Sequence, residues 1–223
     1  MHKIGLNISM CVYRFLSVLL LLVSVSSSAQ NVPINPELLH GRWEAHWITC
    51  PGVSARAYGV YHFRKEITQA KKPDRFVIHV SADNRYKLYV NGTYIGCGPA
   101  RSSLYNWNFE SYDIAPHLHA GKNTIAALVW NMGEYAPVAQ ISGQTGFLLQ
   151  GDSASEEIAN TDKTWKVLHD TAYNPCAEDA SSILQAYTAI GAEDEVQGKD
   201  YPWGWEQSEY DDGSWKNANT VPT

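Results

Sequence analysis

The sequence has 223 residues, enough for one or two domains with a sizeable core. Its 17 lysines and arginines against 23 aspartates and glutamates give a formal net charge of −6, which argues against a nucleic-acid-binding protein because such proteins normally present a basic patch. Charged residues make up 18% and hydrophobic residues 44% of the chain, which excludes a disordered polyelectrolyte. Eight tryptophans and 13 tyrosines outnumber five phenylalanines; rings with a polar group suit either binding faces or the rim of a β-rich core.

Residues 1–29 have the pattern of a secretory signal peptide. Lys3 and Arg14 precede the apolar run 15–25, which is too short to span a bilayer, and small residues precede a predicted cleavage after Ala29. The alternative is a buried N-terminal helix. Cleavage would remove two positive charges and no negative ones, which takes the net charge from −6 to −8. We therefore expect a periplasmic or secreted protein that is not held in the membrane after cleavage.

The cysteines carry little information. Cys11 would leave with the signal peptide, so Cys50, Cys97 and Cys176 allow one disulfide whose partners the sequence does not choose. Their spacing does not match a zinc site.

Short strands separated by turn signals follow one another through the mature chain. Asn91-Gly92 between two alternating runs predicts a type I′ hairpin, because both central residues of that turn need a positive φ. The strand over 121–130 is apolar enough to be central, and 181–190 is the one fair helix candidate. This pattern predicts an all-β protein, an antiparallel β-sandwich. The predicted strands cover residues 57–67, 76–82, 86–90, 93–95, 121–130, 145–150 and 165–168.

The predicted organisation after the signal peptide is a linker over 30–41, a β-sandwich domain over 42–170 and a loop-rich extension over 171–223. The extension either returns to the sandwich or leads to a following domain. The spacing Asp-x-x-Trp occurs twice, and at each place we expect the aspartate to cap a turn while the tryptophan plugs the sandwich edge. The two pairs are Asp162 with Trp165 and Asp212 with Trp215.

No catalytic constellation is recognisable, so we predict no catalytic residues. The acidic clusters at 178–179, 193–195 and 206–212 lie in the loop-like last quarter, which is typical of a solvated surface. His117 and His119 lie in a turn before a strand and are predicted to be exposed histidines rather than metal ligands. The motifs of serine hydrolases, P-loops, zinc proteases and dinucleotide-binding folds do not occur.

Three loops, 81–85, 98–108 and 130–135, carry the residue types that bind sugars. If they share one rim of the sandwich, flat rings can stack on the C–H faces of a sugar and planar polar groups can bind its hydroxyls. The alternative is that Trp107 and Trp130 plug the core or a domain interface and that Asp83 caps its own turn. The candidate rings are Tyr105, Trp107 and Tyr135, and the candidate polar groups are Asp83, Asn84, Arg101, Asn131 and Glu134.

Trp203 and Trp205 lie in a loop where no core demands them, and they are further candidates for a sugar-binding or interdomain face.

Nine segments follow one another along the chain: 43–48, 61–67, 81–92, 98–99, 112–114, 121–123, 162–165, 204–206 and 210–218. In this order they resemble the N-terminal β-sandwich of bacterial α-L-rhamnosidases. The resemblance implies a galactose-binding-like jelly roll that precedes further β domains and an (α/α)₆ barrel carrying the catalytic acids. Nothing in this chain matches that barrel, so no catalytic residue is carried over, and we expect the chain to stop before it. Trp43, Trp47, Trp165 and Trp215 fall on these segments at strand ends and turns, so the resemblance assigns them to the architecture.

The resemblance implies a non-catalytic carbohydrate-binding or accessory module of an exported rhamnosidase-like glycoside hydrolase. Its partner would be a rhamnose-containing glycan or the missing catalytic domain. One alternative is a purely structural sandwich without a sugar site. Another is an intact enzyme, although the missing barrel argues against it. In some family members a related sandwich binds rhamnose with Ca²⁺ through an Asp-Asn pair and a later Asn, which implies Asp83, Asn84 and Asn131 as candidate calcium ligands.

Overall fold

The computed structural model describes residues 32–176 and 193–221. The predicted signal peptide and the helix candidate at 181–190 lie outside these residues. Within the described ranges, no helix has the length and apolar character needed to cross a membrane. One short helix, α1 (Pro36–His40), precedes a series of strands.

The strands are β1 (Ile48–Thr49), β2 (Gly59–Gln69), β3 (Val77–Asp83), β4 (Arg85–Val90), β5 (Thr93–Gly98), β6 (Glu110–Asp113), β7 (Gly121–Asn131), β8 (Gly146–Gly151), β9 (Lys166–Asp170), β10 (Tyr173–Cys176), β11 (Glu193–Val196), β12 (Lys216–Asn217) and β13 (Asn219–Thr220).

These strands form two main antiparallel sheets. Sheet I has five strands in the order β13-β1-β8-β3-β6, and sheet II has six in the order β12-β9-β2-β7-β4-β5, while β10 and β11 form a separate hairpin. The predicted antiparallel sandwich is confirmed. So are the central place of β7, between β2 and β4, and the hairpin turn, where φ is 49° at Asn91 and 78° at Gly92.

The main core lies between the inner faces of the two sheets. Phe63 of sheet II stacks on Phe147 of sheet I with ring centroids 5.5 Å apart, and Trp165 packs edge-on against Phe147 at the same distance. Burial of these large rings supplies much of the hydrophobic stabilisation, at about 25 cal/mol per Å² of apolar surface.

The outer face of sheet II is covered by residues 197–215, which we call the C-terminal strap. Arg64 of β2 holds the strap: its Nε donates to Asp212 Oδ2 at 2.8 Å, its Nη1 donates to the carbonyls of Trp205 and Gln207, and its guanidinium lies 5.4 Å from the ring of Tyr210. Trp205 is fully buried here, so the interpretation of Trp205 as part of an exposed face is wrong. The strap places a second apolar cluster outside sheet II.

The two Asp-x-x-Trp turns differ in one respect. In both, the tryptophan is buried and its backbone N–H donates to the backbone carbonyl of the aspartate, at 3.3 Å for Trp165 and 3.0 Å for Trp215. Asp162 also accepts the N–H of Thr164 through its side chain at 2.8 Å, as predicted. The side chain of Asp212 instead binds Arg64, because that buried guanidinium needs a carboxylate partner.

The segment before the sandwich is fixed by polar contacts. Asn35 accepts the N–H of Glu37 at the start of α1 and binds Asp152 through its backbone N–H at 2.7 Å, and the indole N–H of Trp43 donates to Leu38 O at 2.9 Å. Farther along the chain, the three described cysteines are all free thiols.

Candidate functional site

A small pocket opens at the end of sheet I, where β1, β8 and β3 lie side by side. Trp47 precedes β1 and Trp107 lies in the loop between β5 and β6; their rings meet edge to face, with centroids 5.7 Å apart and planes at 62°. The pocket holds about 220 Å³, below the roughly 300–1,000 Å³ of pockets for drug-sized ligands. Its lining consists of Trp47, Asp83, Trp107, Gly143, Gln144, Gly146 and Val221.

The floor of the pocket is built around Asp83, the last residue of β3. Asp83 Oδ2 accepts the N–H groups of Gly143 at 2.6 Å and Gln144 at 2.9 Å, and Oδ1 accepts Asn84 Nδ2 at 2.5 Å. Burial raises the pKa of Asp83, although these hydrogen bonds oppose the shift. The carboxylate therefore fixes the 143–144 loop in place beside the two indoles.

Asn84 and Asn131 are buried behind this floor and organise the neighbouring turns. Asn84 Oδ1 accepts the N–H of Met132 at 2.9 Å. Asn131 Oδ1 accepts the N–H of Gly133 at 2.8 Å, and its Nδ2 donates to Ser142 Oγ at 3.2 Å. Both side chains thus support the pocket without lining it.

The three candidate calcium ligands do not fit a calcium ion as they are arranged. Every side-chain oxygen of Asp83, Asn84 and Asn131 already accepts at least one N–H, and all three residues are at most 2% exposed. Ca²⁺ takes about six to eight oxygen ligands, and only one of these three side chains is a carboxylate. Within the described part of the chain, no group of three or more His, Cys, Asp or Glu residues could hold a metal.

The other predicted sugar-binding residues are not brought into the pocket. Arg101 lines a narrow cleft on another side of Trp107, together with Asn84. Tyr105 is 94% exposed on the same loop. Glu134 and Tyr135 lie in a 3₁₀ turn after β7, where Tyr135 packs edge-on against Tyr58 with centroids 6.0 Å apart. Among the predicted residues, the structure therefore joins Asp83 and Trp107 in one pocket, with Asn84 and Arg101 beside them.

Sequence reasoning missed the second indole and the glycines. Trp47 was assigned to the architecture, yet it forms a pocket wall. A Cβ at Gly146 would lie 2.9 Å from the Trp47 ring, and one at Gly143 would lie 3.7 Å from Asp83 Oδ2 and 3.8 Å from Trp107. Glycine at these positions leaves the space of the pocket open. The run Ser142-Gly-Gln-Thr-Gly146 between two strands was the available signal.

The fold and this pocket define an antiparallel β-sandwich domain with a small aromatic pocket at one sheet end. The chain belongs to the α-L-rhamnosidase N-terminal domain family, whose model matches residues 71–223. The suspected resemblance is thereby confirmed.

The chain is also similar to parts of larger solved structures. It is 26% identical to the GH78 family rhamnosidase of Bacillus sp. GL1 over 81% of this chain and 19% of that one, with a TM-score of 0.69. The α-L-rhamnosidase of Dictyoglumus thermophilum is 21% identical over 81% of this chain and 21% of that one, with a TM-score of 0.61. The lectin of Pleurotus ostreatus is 20% identical over 80% of this chain and 42% of that one, with a TM-score of 0.50. The last two show the fold alone.

The chain spans about a fifth of the length of the two rhamnosidases. No curated protein matches it.

Proposed function

We propose that this chain is a non-catalytic carbohydrate-binding domain of an exported α-L-rhamnosidase, with the pocket between Trp47 and Trp107 as its sugar site. The observation that carries the proposal is the pair of indoles set at 62° beside a polar floor. A sugar ring has a C–H face that packs on an aromatic ring and hydroxyls that need hydrogen-bond partners, and this corner offers both.

The dimensions of the pocket favour one sugar ring. Its volume of about 220 Å³ suits a monosaccharide or the end of a glycan better than an internal stretch of chain. The side chain of Gln144 supplies a donor and an acceptor at the floor.

Rhamnose is the sugar that this combination favours. The family to which the chain belongs is that of rhamnosidase N-terminal domains. L-Rhamnose carries a methyl group in place of a hydroxymethyl group, and a methyl group gains by contact with a second indole. Binding a terminal rhamnose would raise the local concentration of the glycan near a catalytic domain.

A structural role is the second candidate, and an exposed apolar patch favours it. Leu104 and Ile141 are 52% and 41% exposed on the loops that flank Trp107, and Tyr105 extends the patch. Apolar residues clustered in this way mark interfaces with other domains as well as ligand sites. In this case the patch packs against another part of the enzyme and the pocket binds no sugar.

Calorimetric titration of the purified protein with methyl α-L-rhamnoside separates the two functions. We expect saturable heat for the wild type and a loss of affinity of at least about tenfold, or about 1.4 kcal/mol, in Trp107→Ala. Gly143→Val should also lose binding, because its side chain grows from a pocket-lining position next to Asp83 and Trp107.

Trp203→Ala is the matched control, because Trp203 is a 73% exposed tryptophan of the strap that does not line the pocket. It should bind like the wild type. An absence of heat in the folded wild type would contradict sugar binding and favour the structural role.

A further inference from the structure

A second cavity of about 310 Å³ lies at another edge of the sandwich. One wall is the turn that follows β1, with Cys50 and Val53, and the other is formed by β9 and β12 of sheet II, with His169 and Lys216. It shares no lining residue with the pocket between Trp47 and Trp107. The cavity therefore opens between the two sheets, separately from the proposed rhamnose site.

The strand register directs the polar side chains of sheet II into this opening. Lys216 pairs with Val167 across β12 and β9, so the two side chains share a face. Val167 is a core residue, which places that face on the inside of the sandwich. His169, two residues further along β9, has the same orientation, and its ring stacks on Tyr61 with centroids 5.0 Å apart.

Lys216 gives the cavity its charge. Burial raises the pKa of the Cys50 thiol and lowers the pKa of His169, while the nearby Lys216 ammonium lowers both. These shifts keep the thiol and the imidazole uncharged at neutral pH. No aspartate or glutamate is among the described lining residues, and Lys216 forms no ion pair within the described ranges.

The surrounding groups suit a polar ring. Trp215, Thr171 and Ser214 are among the lining residues, and the last two carry hydroxyl groups. Asp170, the acidic neighbour of His169, is turned to the other face of β9, where it binds His62 at 2.7 Å. An anion in the cavity would thus meet one ammonium without a facing carboxylate from β9.

We infer that this cavity binds a carboxylated sugar, with the carboxylate on Lys216 and the ring between β12 and the turn after β1. A cationic group that forms no ion pair among the described residues is complementary to a single negative charge. The hydroxyl groups of Thr171 and Ser214, two of the lining residues, are hydrogen-bond partners for the hydroxyls of a sugar-acid ring. This site is independent of the proposed rhamnose pocket.

The test compares D-glucuronate with D-glucose, two rings that differ in the carboxylate, by calorimetric titration of the purified protein at low salt. We expect D-glucuronate to bind at least about tenfold more tightly than D-glucose and to lose affinity as salt is added. Lys216→Gln should lose this preference and Lys216→Arg should retain it. Lys216 is exposed on an edge strand, so both variants should fold, which circular dichroism would verify.

Two controls make the result specific. Lys122→Gln removes an exposed lysine that pairs with Glu66, and it should leave D-glucuronate binding unchanged. Trp107→Ala should also leave it unchanged, so a failure of the rhamnose proposal would not be mistaken for a failure of this one. Equal affinity for both sugars, no heat with either, or full D-glucuronate binding by Lys216→Gln would overturn the inference.

Discussion

Acidification should destabilise this protein through two buried histidines, of which His62 is the clearer case. His62 is fully buried between sheet II and the strap, where its Nε2 lies 2.7 Å from Asp170 Oδ2 and its ring centroid lies 4.3 Å from that of Trp205. Its Nδ1 has no hydrogen-bond partner among the residues that the structure describes. Burial lowers the pKa of His62 more than Asp170 raises it, so the folded state favours the neutral ring.

The magnitude follows from proton linkage. An unfolded histidine has a pKa of 6.5, so the unfolded chain takes up a proton as the pH falls through that value while the folded His62 does not. The stabilisation is therefore complete above pH 6.5 and decreases below it. For each histidine that stays neutral in the folded state, the free energy of unfolding decreases by at most about 1.4 kcal/mol between pH 7.5 and 5.5.

His79 behaves in the same way. It is buried between Ser111 and Asp152, and its pKa is lowered by burial. The two histidines together should lower the free energy of unfolding by up to about 2.7 kcal/mol over this interval. Asp83, whose pKa is raised, acts in the opposite direction at lower pH, so the comparison stops at pH 5.5.

The assay is urea unfolding followed by tryptophan fluorescence at pH 7.5, 6.5 and 5.5. His62→Gln keeps a side-chain donor for Asp170 but does not titrate, so its loss of stability on acidification should be smaller than that of the wild type by up to about 1.4 kcal/mol. His117→Gln, at an exposed position, should leave the pH dependence unchanged. A free energy of unfolding that stays constant or rises from pH 7.5 to 5.5 would refute this reasoning.

Three further outcomes are expected. Arg64→Met should cost about 3 kcal/mol in the free energy of unfolding by urea, because Asp212 and two strap carbonyls lose their donor; a cost below about 1 kcal/mol would show that the strap is held otherwise. Gly133→Ala should lower the melting temperature far more than Gly143→Ala. The φ of Gly133 is 53° and a Cβ there would lie 2.2 Å from a backbone nitrogen, whereas a Cβ at Gly143 meets nothing closer than 3.7 Å. Equal shifts would contradict this geometry. Calcium at millimolar concentration should leave the melting temperature of the protein unchanged relative to EDTA, and a calcium-dependent rise would show that Asp83 and its neighbours rearrange to bind the ion.

Local patterns were sufficient to predict most of the fold. The Asn91-Gly92 turn determines its own conformation, because few other residue pairs adopt two positive φ values in succession. Alternation of apolar residues identified β3, since each residue alternates between the two faces of a strand, and a continuous apolar run identified β7. The covering of sheet II by the strap was not predicted, because Arg64 and its acceptors are more than 140 residues apart in the sequence.

The pocket could be predicted only in part for the same reason. Asp83 and Trp107 were chosen by residue type within loops, and both line the pocket. Trp47 reaches the same place because β1 pairs with β8 and β8 pairs with β3, a non-local arrangement that the sequence pattern does not specify. Tyr135 was grouped with these residues by type, but the turn after β7 brings it to Tyr58 instead.

The most direct test of the account is a crystal structure of the protein with methyl α-L-rhamnoside. The account predicts density for one sugar ring between Trp47 and Trp107, with a hydroxyl in hydrogen-bond contact with Gln144. A sugar bound elsewhere on the domain, or an empty pocket at a concentration that saturates binding in solution, would contradict it.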